Sequence, residues 1–213
     1  MFRYVATLLY AFCAVALGSS DDFDKVNGSI EVEAGREAGD VSTVNGSIRI
    51  GSDARVQEVE TVNGAIRIEP RATARSVETV NGSVTLGDGV VVSGNVEAVN
   101  GALTLESGAR VEGRVENVNG DFELRGATVR GGLGTVNGDM RIGAGSLVDG
   151  GILVEKPGGW SWGGKSNRPT VTIESGATVN GTLSFEREVD LHVGAGAVVG
   201  PIEGVQPKRH ALP

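Results

Sequence analysis

The sequence has few residues of three chemically useful types. Its one cysteine, Cys13, lies close to the amino terminus, so disulfides and thiolate metal sites are not expected in the rest of the chain. Aromatic residues make up only 4%, too few for a thick core of large side chains. Of the two histidines, His192 is predicted to point outward and His210 lies in the tail, so we expect no catalytic histidine, no metal and no cofactor.

Glycine and acidic residues are abundant instead. The chain of 213 residues contains 34 glycines, more than twice the usual share of about 7%. Its formal net charge is -8 with a pI near 4.9. Nucleic acids and anionic membranes favour basic surfaces, so neither is an expected partner.

Residues 1–18 have the pattern of a signal peptide. Arg3 precedes an uncharged run at residues 4–17, which is shorter than the roughly 20 residues that span a membrane. We place cleavage after Gly18, or slightly later after Ser19 or Ser20. The alternative is an uncleaved anchor helix. We expect an exported protein, periplasmic or secreted, with no stable membrane span after cleavage.

The remaining chain repeats a unit of 18 or 19 residues. Its marker, Val-Asn-Gly, begins at Val26, Val44, Val62, Val80, Val99, Val118 and Val136. The apolar pattern continues to residue 204, which predicts about nine coils in one domain, 19–204, followed by a tail, 205–213. An eighth Val-Asn-Gly, at Val179, is out of phase. One insertion, residues 155–169, interrupts the repeats.

Within each unit, apolar residues alternate with polar ones. Ile48 and Ile50, like Ile66 and Ile68, are separated by two positions, the pattern of a strand with one buried face. The fold class predicted is therefore all-β: a triangular parallel β-helix, or β-solenoid, of short stacked strands. Apolar residues at every sixth position are typical of left-handed β-helices, but the general rule for parallel crossovers favours the opposite hand, and we predict a right-handed helix.

The Asn-Gly pairs are predicted to form one corner, where both residues tolerate left-handed conformations. Stacking would align their amides in a hydrogen-bonded column. We interpret this column as structural rather than ligand-binding. Its members are Asn27, Asn45, Asn63, Asn81, Asn100, Asn119 and Asn137.

Four glutamates at equivalent outward positions predict an acidic column: Glu60, Glu78, Glu97 and Glu116. Like charges at this spacing repel one another, and a cation such as calcium would relieve the repulsion. The alternative is a solvated row of charges. The glycine- and aspartate-rich nonapeptides of calcium-binding β-rolls are absent, which favours the solvated row.

The insertion is the main candidate for binding. It contains both tryptophans, Trp160 and Trp162, together with Lys165 and Arg168. Exposed tryptophan beside cations suits a contact with a protein or a glycan. The tryptophans could equally fold back to cover a face of the solenoid.

Two families resemble these repeats. TVNGSIRIG and ETVNGAIRIE resemble β-strand-repeat, adhesin-like proteins of unknown function. GALTLESGARVEGRVENV and RPTVTIESGATVNGTLSF are similar to bactofilins, polymer-forming β-helix proteins of bacteria. The resemblance implies a β-helix and, for bactofilins, self-assembly; it implies no catalytic residues.

The leading hypothesis is a non-enzymatic structural or adhesive module of the bacterial cell envelope. Its unknown partner is a protein or glycan, bound through the insertion. The alternatives are a self-assembling, bactofilin-like scaffold and a glycan-modifying enzyme, which would need clustered acids on one face. The acidic segment Asp21-Asp22-Phe23-Asp24 and the prolines and bases after Gly200 favour a capped monomer over a filament.

Overall fold

The computed structural model describes residues 22–157 and 168–211. All strands in these two ranges pair in parallel and form three sheets, and the described residues contain no helix. The chain visits the sheets in turn, so each circuit makes one coil. The predicted parallel β-solenoid of about nine coils is confirmed.

The first sheet has ten strands, most of which end at a ladder asparagine. They are Phe23–Asn27, Val41–Asn45, Glu58–Asn63, Ser76–Asn81, Val96–Asn100, Val115–Asn119, Leu133–Asn137, Ile152–Val154, Leu183–Phe185 and Ile202–Gly204.

The second sheet also has ten strands, each of which follows the corner that ends the first-sheet strand. They are Ile30–Val32, Ile48–Ile50, Ile66–Ile68, Val84–Leu86, Leu103–Leu105, Phe122–Leu124, Met140–Ile142, Thr170–Ile173, Asp190–Val193 and Lys208–Ala211. The sequence placed the end of the repeats at residue 204, but the last of these strands lies beyond it and pairs with Asp190–Val193.

The third sheet has seven strands of two residues each. They are Thr73–Ala74, Val91–Val92, Arg110–Val111, Thr128–Val129, Leu147–Val148, Thr178–Val179 and Val198–Val199. Isolated bridges from Glu37 to Arg55 and from Arg55 to Thr73 continue this side toward the first coil.

Alternation along the strands separates core from surface. Ile48, Ile50, Ile66 and Ile68 are at most 1% exposed, whereas the intervening Arg49 lies outside. Equivalent residues pair in register between coils, so each inward position forms a continuous column of side chains. The core is therefore a slim aliphatic stack along the solenoid, as the low aromatic content predicts.

The Asn-Gly corner requires glycine for a reason other than the one expected. None of its asparagines has a positive φ, because each ends an extended strand. The constraint is space: a Cβ on Gly64 would lie 2.0 Å from the carbonyl oxygen of Gly46 in the preceding coil. Positive φ angles occur at only some of the corner glycines, Gly28, Gly101 and Gly120, at 109–153°. Left-handed residues near φ 70° recur at the corner after the second sheet, for example Gly145 at φ 73°.

Candidate functional site

The ladder asparagines form one hydrogen-bonded column. Asn45 Nδ2 donates to Asn27 Oδ1 at 3.0 Å, and the same bond recurs at each step up to Asn137, with distances of 2.9–3.1 Å. From Asn45 to Asn137, each amide donates to the asparagine of the preceding coil, so the column has a direction. Asn180, in the out-of-phase Val-Asn-Gly, lies outside it and donates to Asp149 Oδ1.

The insertion replaces the Asn-Gly corner of a single coil. Thr135 pairs with Val154 before it, and Met140 pairs with Val171 after it. Both sheets therefore pass through this coil in register, and the insertion begins where an Asn-Gly would otherwise stand. This is why the ladder stops at Asn137.

Neighbouring coils hold the base of the insertion from both sides. The Thr170 amide donates to Asp139 Oδ1 at 2.8 Å in the coil below. The Lys156 amide donates to Glu186 Oε2 at 3.3 Å in the coil above. The exit and return of the chain are thus tied to the solenoid by backbone donors.

Arg168, the one predicted binding residue within the described ranges, forms ion pairs at this base. Its guanidinium contacts the carboxylates of Glu188 and Asp190, the second at 3.3 Å. It therefore anchors the returning chain. Trp160, Trp162 and Lys165 lie outside the described residues.

Arg187 closes the ladder above the insertion. Its Nη1 donates to Asn137 Oδ1 at 2.8 Å and to the Val136 carbonyl at 2.9 Å. The residue is 9% exposed, and burial lowers the pKa of its guanidinium. Sequence reasoning missed it, because the partners are 50 residues apart and no motif links them.

A row of buried polar side chains runs inside the first sheet. Thr43, Thr61 and Thr79 donate their hydroxyl protons to the carbonyls of corner glycines at 3.0–3.3 Å. In a later coil, Asn117 occupies the equivalent position, and its Nδ2 donates to the carbonyl of Gly101 at 2.6 Å. The sequence could have indicated this row, because a threonine directly precedes several of the Val-Asn-Gly units.

The predicted acidic column stands on the outer face of the first sheet. Glu60, Glu78, Glu97 and Glu116 pair in register from coil to coil. Partial burial, and then the charges of Glu97 and Glu60, raise the pKa of Glu78 to about 7. Burial is also the main cause of the raised pKa values of Glu60 and Glu116. Near neutral pH, Glu78 is therefore partly protonated.

Beside the acidic column runs a row of outward valines, the first residues of the Val-Asn-Gly units. Val44, Val62 and Val80 are each half-buried on this face. Across residues 22–157 and 168–211, no group of three or more histidine, cysteine, aspartate or glutamate side chains is placed to hold a metal ion.

The two histidines meet on the second sheet. They are one coil apart and pair in register, with ring centroids 4.6 Å apart and planes inclined by 14°. His210 Nε2 lies 3.7 Å from Asp190 Oδ1. The sequence analysis assigned His210 to a tail and missed this stack, although the 18-residue spacing was the signal for it.

These features define a repeat protein of the parallel β-solenoid class. No protein-family model, no curated protein and no solved structure matches the chain. Within the described ranges, no helix has the length and apolar character needed to cross a membrane.

Proposed function

We propose that this protein is a non-enzymatic, exported module of the bacterial cell envelope with a structural or adhesive role. The rigid β-solenoid serves as a column, and the insertion at residues 155–169 is the element that contacts a protein or glycan partner. Export rests on the signal-peptide pattern of residues 1–18.

One observation carries the proposal: the strands before and after the insertion keep the register of the solenoid. The strand Ile152–Val154 before the insertion pairs with strands of the coils on both sides, and so does Thr170–Ile173 after it. Loops that project from a rigid scaffold commonly carry binding. Both tryptophans of the chain fall in this segment, and tryptophan is enriched among residues that dominate binding energies.

The resemblance of the repeats to adhesin-like β-strand-repeat proteins supports the same function. Regular coils with little side-chain chemistry suit a spacer that positions one contact element. Fold alone does not specify a ligand, so the proposal rests on the insertion rather than on the solenoid.

The test measures binding of residues 19–213 to envelopes of the source bacterium. The double variant Trp160→Ala/Trp162→Ala is compared with Ser161→Ala/Asn167→Ala, a control in the same insertion. We expect the tryptophan variant to bind with at least tenfold lower affinity than the parent, and the control to bind with unchanged affinity. Protease treatment of the envelopes should abolish binding to a protein partner, and periodate oxidation should abolish binding to a glycan. Equal binding by both variants, or no binding by the parent, would remove the proposal.

The second candidate is a self-assembling, bactofilin-like scaffold. It is favoured by the carboxy-terminal end, where no further described strand pairs with Ile202–Gly204 or with Val198–Val199. Val198, which is 54% exposed, adds apolar surface there. Electron microscopy of the parent at rising concentration tests this candidate, because filaments would support it.

A further inference from the structure

Among residues 22–157 and 168–211, the inward columns of the solenoid are aliphatic, aromatic or uncharged, apart from two positions. Lys25 begins a column that continues through Thr43, Thr61 and Thr79. Arg209 ends a column whose preceding member is the buried Leu191. A basic residue therefore stands at an inward position in the first coil and in the last coil.

At the amino-terminal end, two cations make contacts within the first described coil. Lys25 Nζ donates to the carbonyl of Ser29 in the same coil at 2.9 Å. The Arg36 guanidinium lies over the ring of Phe23, 4.9 Å from its centroid. Phe23 is itself in register with the inward Val41. Lys25 thus places a charge at a position where the next three coils have a buried threonine.

At the carboxy-terminal end, Arg209 lies on the last strand of the second sheet, beyond which no described strand pairs. It is exposed, whereas Leu191 one coil below is 1% exposed. The adjoining inward residues Val193, Val199 and Ile202 are only partly buried and pack against the core. Apart from Arg209, this end has the apolar surface and the unpaired strand edges on which another coil could stack.

We propose that Lys25 and Arg209 are end caps that prevent a second copy of this chain from stacking coil on coil. A head-to-tail joint would bury both residues, setting Lys25 against Gly204 and Arg209 against Ile30. Joining two amino-terminal ends would bury two lysines, and joining two carboxy-terminal ends would bury two arginines.

Every joint would therefore place two cations in the core without a partner. No aspartate or glutamate is among the buried residues of the described chain, so the columns offer no carboxylate to neutralise them. Burying an unpaired charge is strongly unfavourable. Inward-pointing charges are a general means of keeping sheet edges from pairing. The protein is accordingly a rod of fixed length.

The test uses residues 19–213 and replaces each cap with the residue at the same position in the adjacent coil. Lys25 becomes threonine, as in Thr43, and Arg209 becomes leucine, as in Leu191. Sedimentation should give a monomer for the parent at all concentrations. Arg209→Leu alone should double the mass by joining carboxy-terminal ends, and Lys25→Thr alone should do the same through amino-terminal ends. The double variant should form filaments visible by electron microscopy.

The matched control is Lys208→Thr/Arg67→Thr, which removes the same two charges from exposed positions of the second sheet. It should stay monomeric. If the double variant precipitates without order, Lys25→Met/Arg209→Met keeps the long side chains and should assemble. Filaments of the parent, or a folded double variant that stays monomeric, would overturn the proposal. Neither outcome bears on binding by the insertion, which all these variants retain.

Discussion

Arg187 completes the asparagine ladder that Asn137 would otherwise leave open. Its guanidinium donates a 2.8 Å hydrogen bond to Asn137 Oδ1 across the coil that carries the insertion. The same nitrogen satisfies the carbonyl of Val136. A regular amide column is thus joined to the irregular part of the protein by one buried cation.

Replacing Arg187 with alanine should lower the free energy of unfolding by about 1.5–3 kcal/mol, because the buried carbonyl of Val136 and the side chain of Asn137 both lose a charged donor. Chemical denaturation followed by circular dichroism measures this loss. Arg67→Ala, at an exposed position, is the control and should change stability by less than about 0.5 kcal/mol. Equal effects of the two variants would contradict the role given to Arg187.

The direction of the ladder predicts an asymmetry between Asn81→Asp and Asn27→Asp. Asn81 donates to Asn63 and accepts from Asn100, so a carboxylate there faces an amide oxygen without a proton to donate. Asn27 only accepts within the ladder, a role that aspartate retains.

Asn81→Asp should therefore cost about 1–2 kcal/mol at neutral pH, and Asn27→Asp close to nothing. Lowering the pH should restore much of the loss at position 81, because a protonated carboxyl can donate. Thermal unfolding of both variants at two pH values is the measurement. The same loss at both positions would show that the amides have no fixed orientation.

Glu78 should make the folded protein less stable as the pH rises. Its folded pKa of about 7 lies above the ordinary 4.5, so between these values the folded state holds a proton that the unfolded chain has released. The contribution of this proton to the free energy of unfolding is complete below about pH 4.5 and is lost as the pH rises to about 7.

Glu78→Gln should therefore raise the stability at about pH 8 by on the order of 1 kcal/mol, after allowance for solvent screening, and leave it unchanged near pH 4.5. Thermal melts at the two pH values test this. Glu33→Gln, at an exposed site, should show no such difference. If Glu78→Gln raised the stability equally at both pH values, Glu78 would not be protonated in the folded state at the lower pH.

Two glycines should respond to alanine for different reasons. Gly64→Ala would force a Cβ to 2.0 Å from a backbone oxygen, so it should cost about 3 kcal/mol or more. Gly145 has open space but a φ of 73°, so alanine there should cost about 1 kcal/mol.

Gly145→Asn should cost less than Gly145→Ala, since asparagine tolerates the left-handed region, whereas no substitution should rescue position 64. Urea denaturation ranks the variants. A milder effect at Gly64 than at Gly145 would show that the coils can move apart at the Asn-Gly corner.

Regular features of the coil could be predicted from the sequence because each depends on the period and the alternation. Ile48 and Ile50 are buried as expected, since a strand with one buried face determines its own inward positions. Asp53 and Arg71 are left-handed at a corner where the other coils have glycine, and their residue types do not predict this because side chains disfavour that region. Their mutual ion pair, 2.8 Å between Arg71 Nη2 and Asp53 Oδ2, lies on the outer surface and follows from stacking alone.

The sequence by itself determined the repeat length, the inward and outward faces of each strand and the membership of the asparagine column. These follow from residue spacing, because parallel in-register pairing places equivalent residues of successive coils next to one another. Only the tertiary structure decided that the insertion takes the place of a corner, that Arg187 reaches back to Asn137 and that Lys25 and Arg209 stand at the open ends. Those outcomes depend on where the chain re-enters the stack after its regular period is broken, and on which coils come first and last.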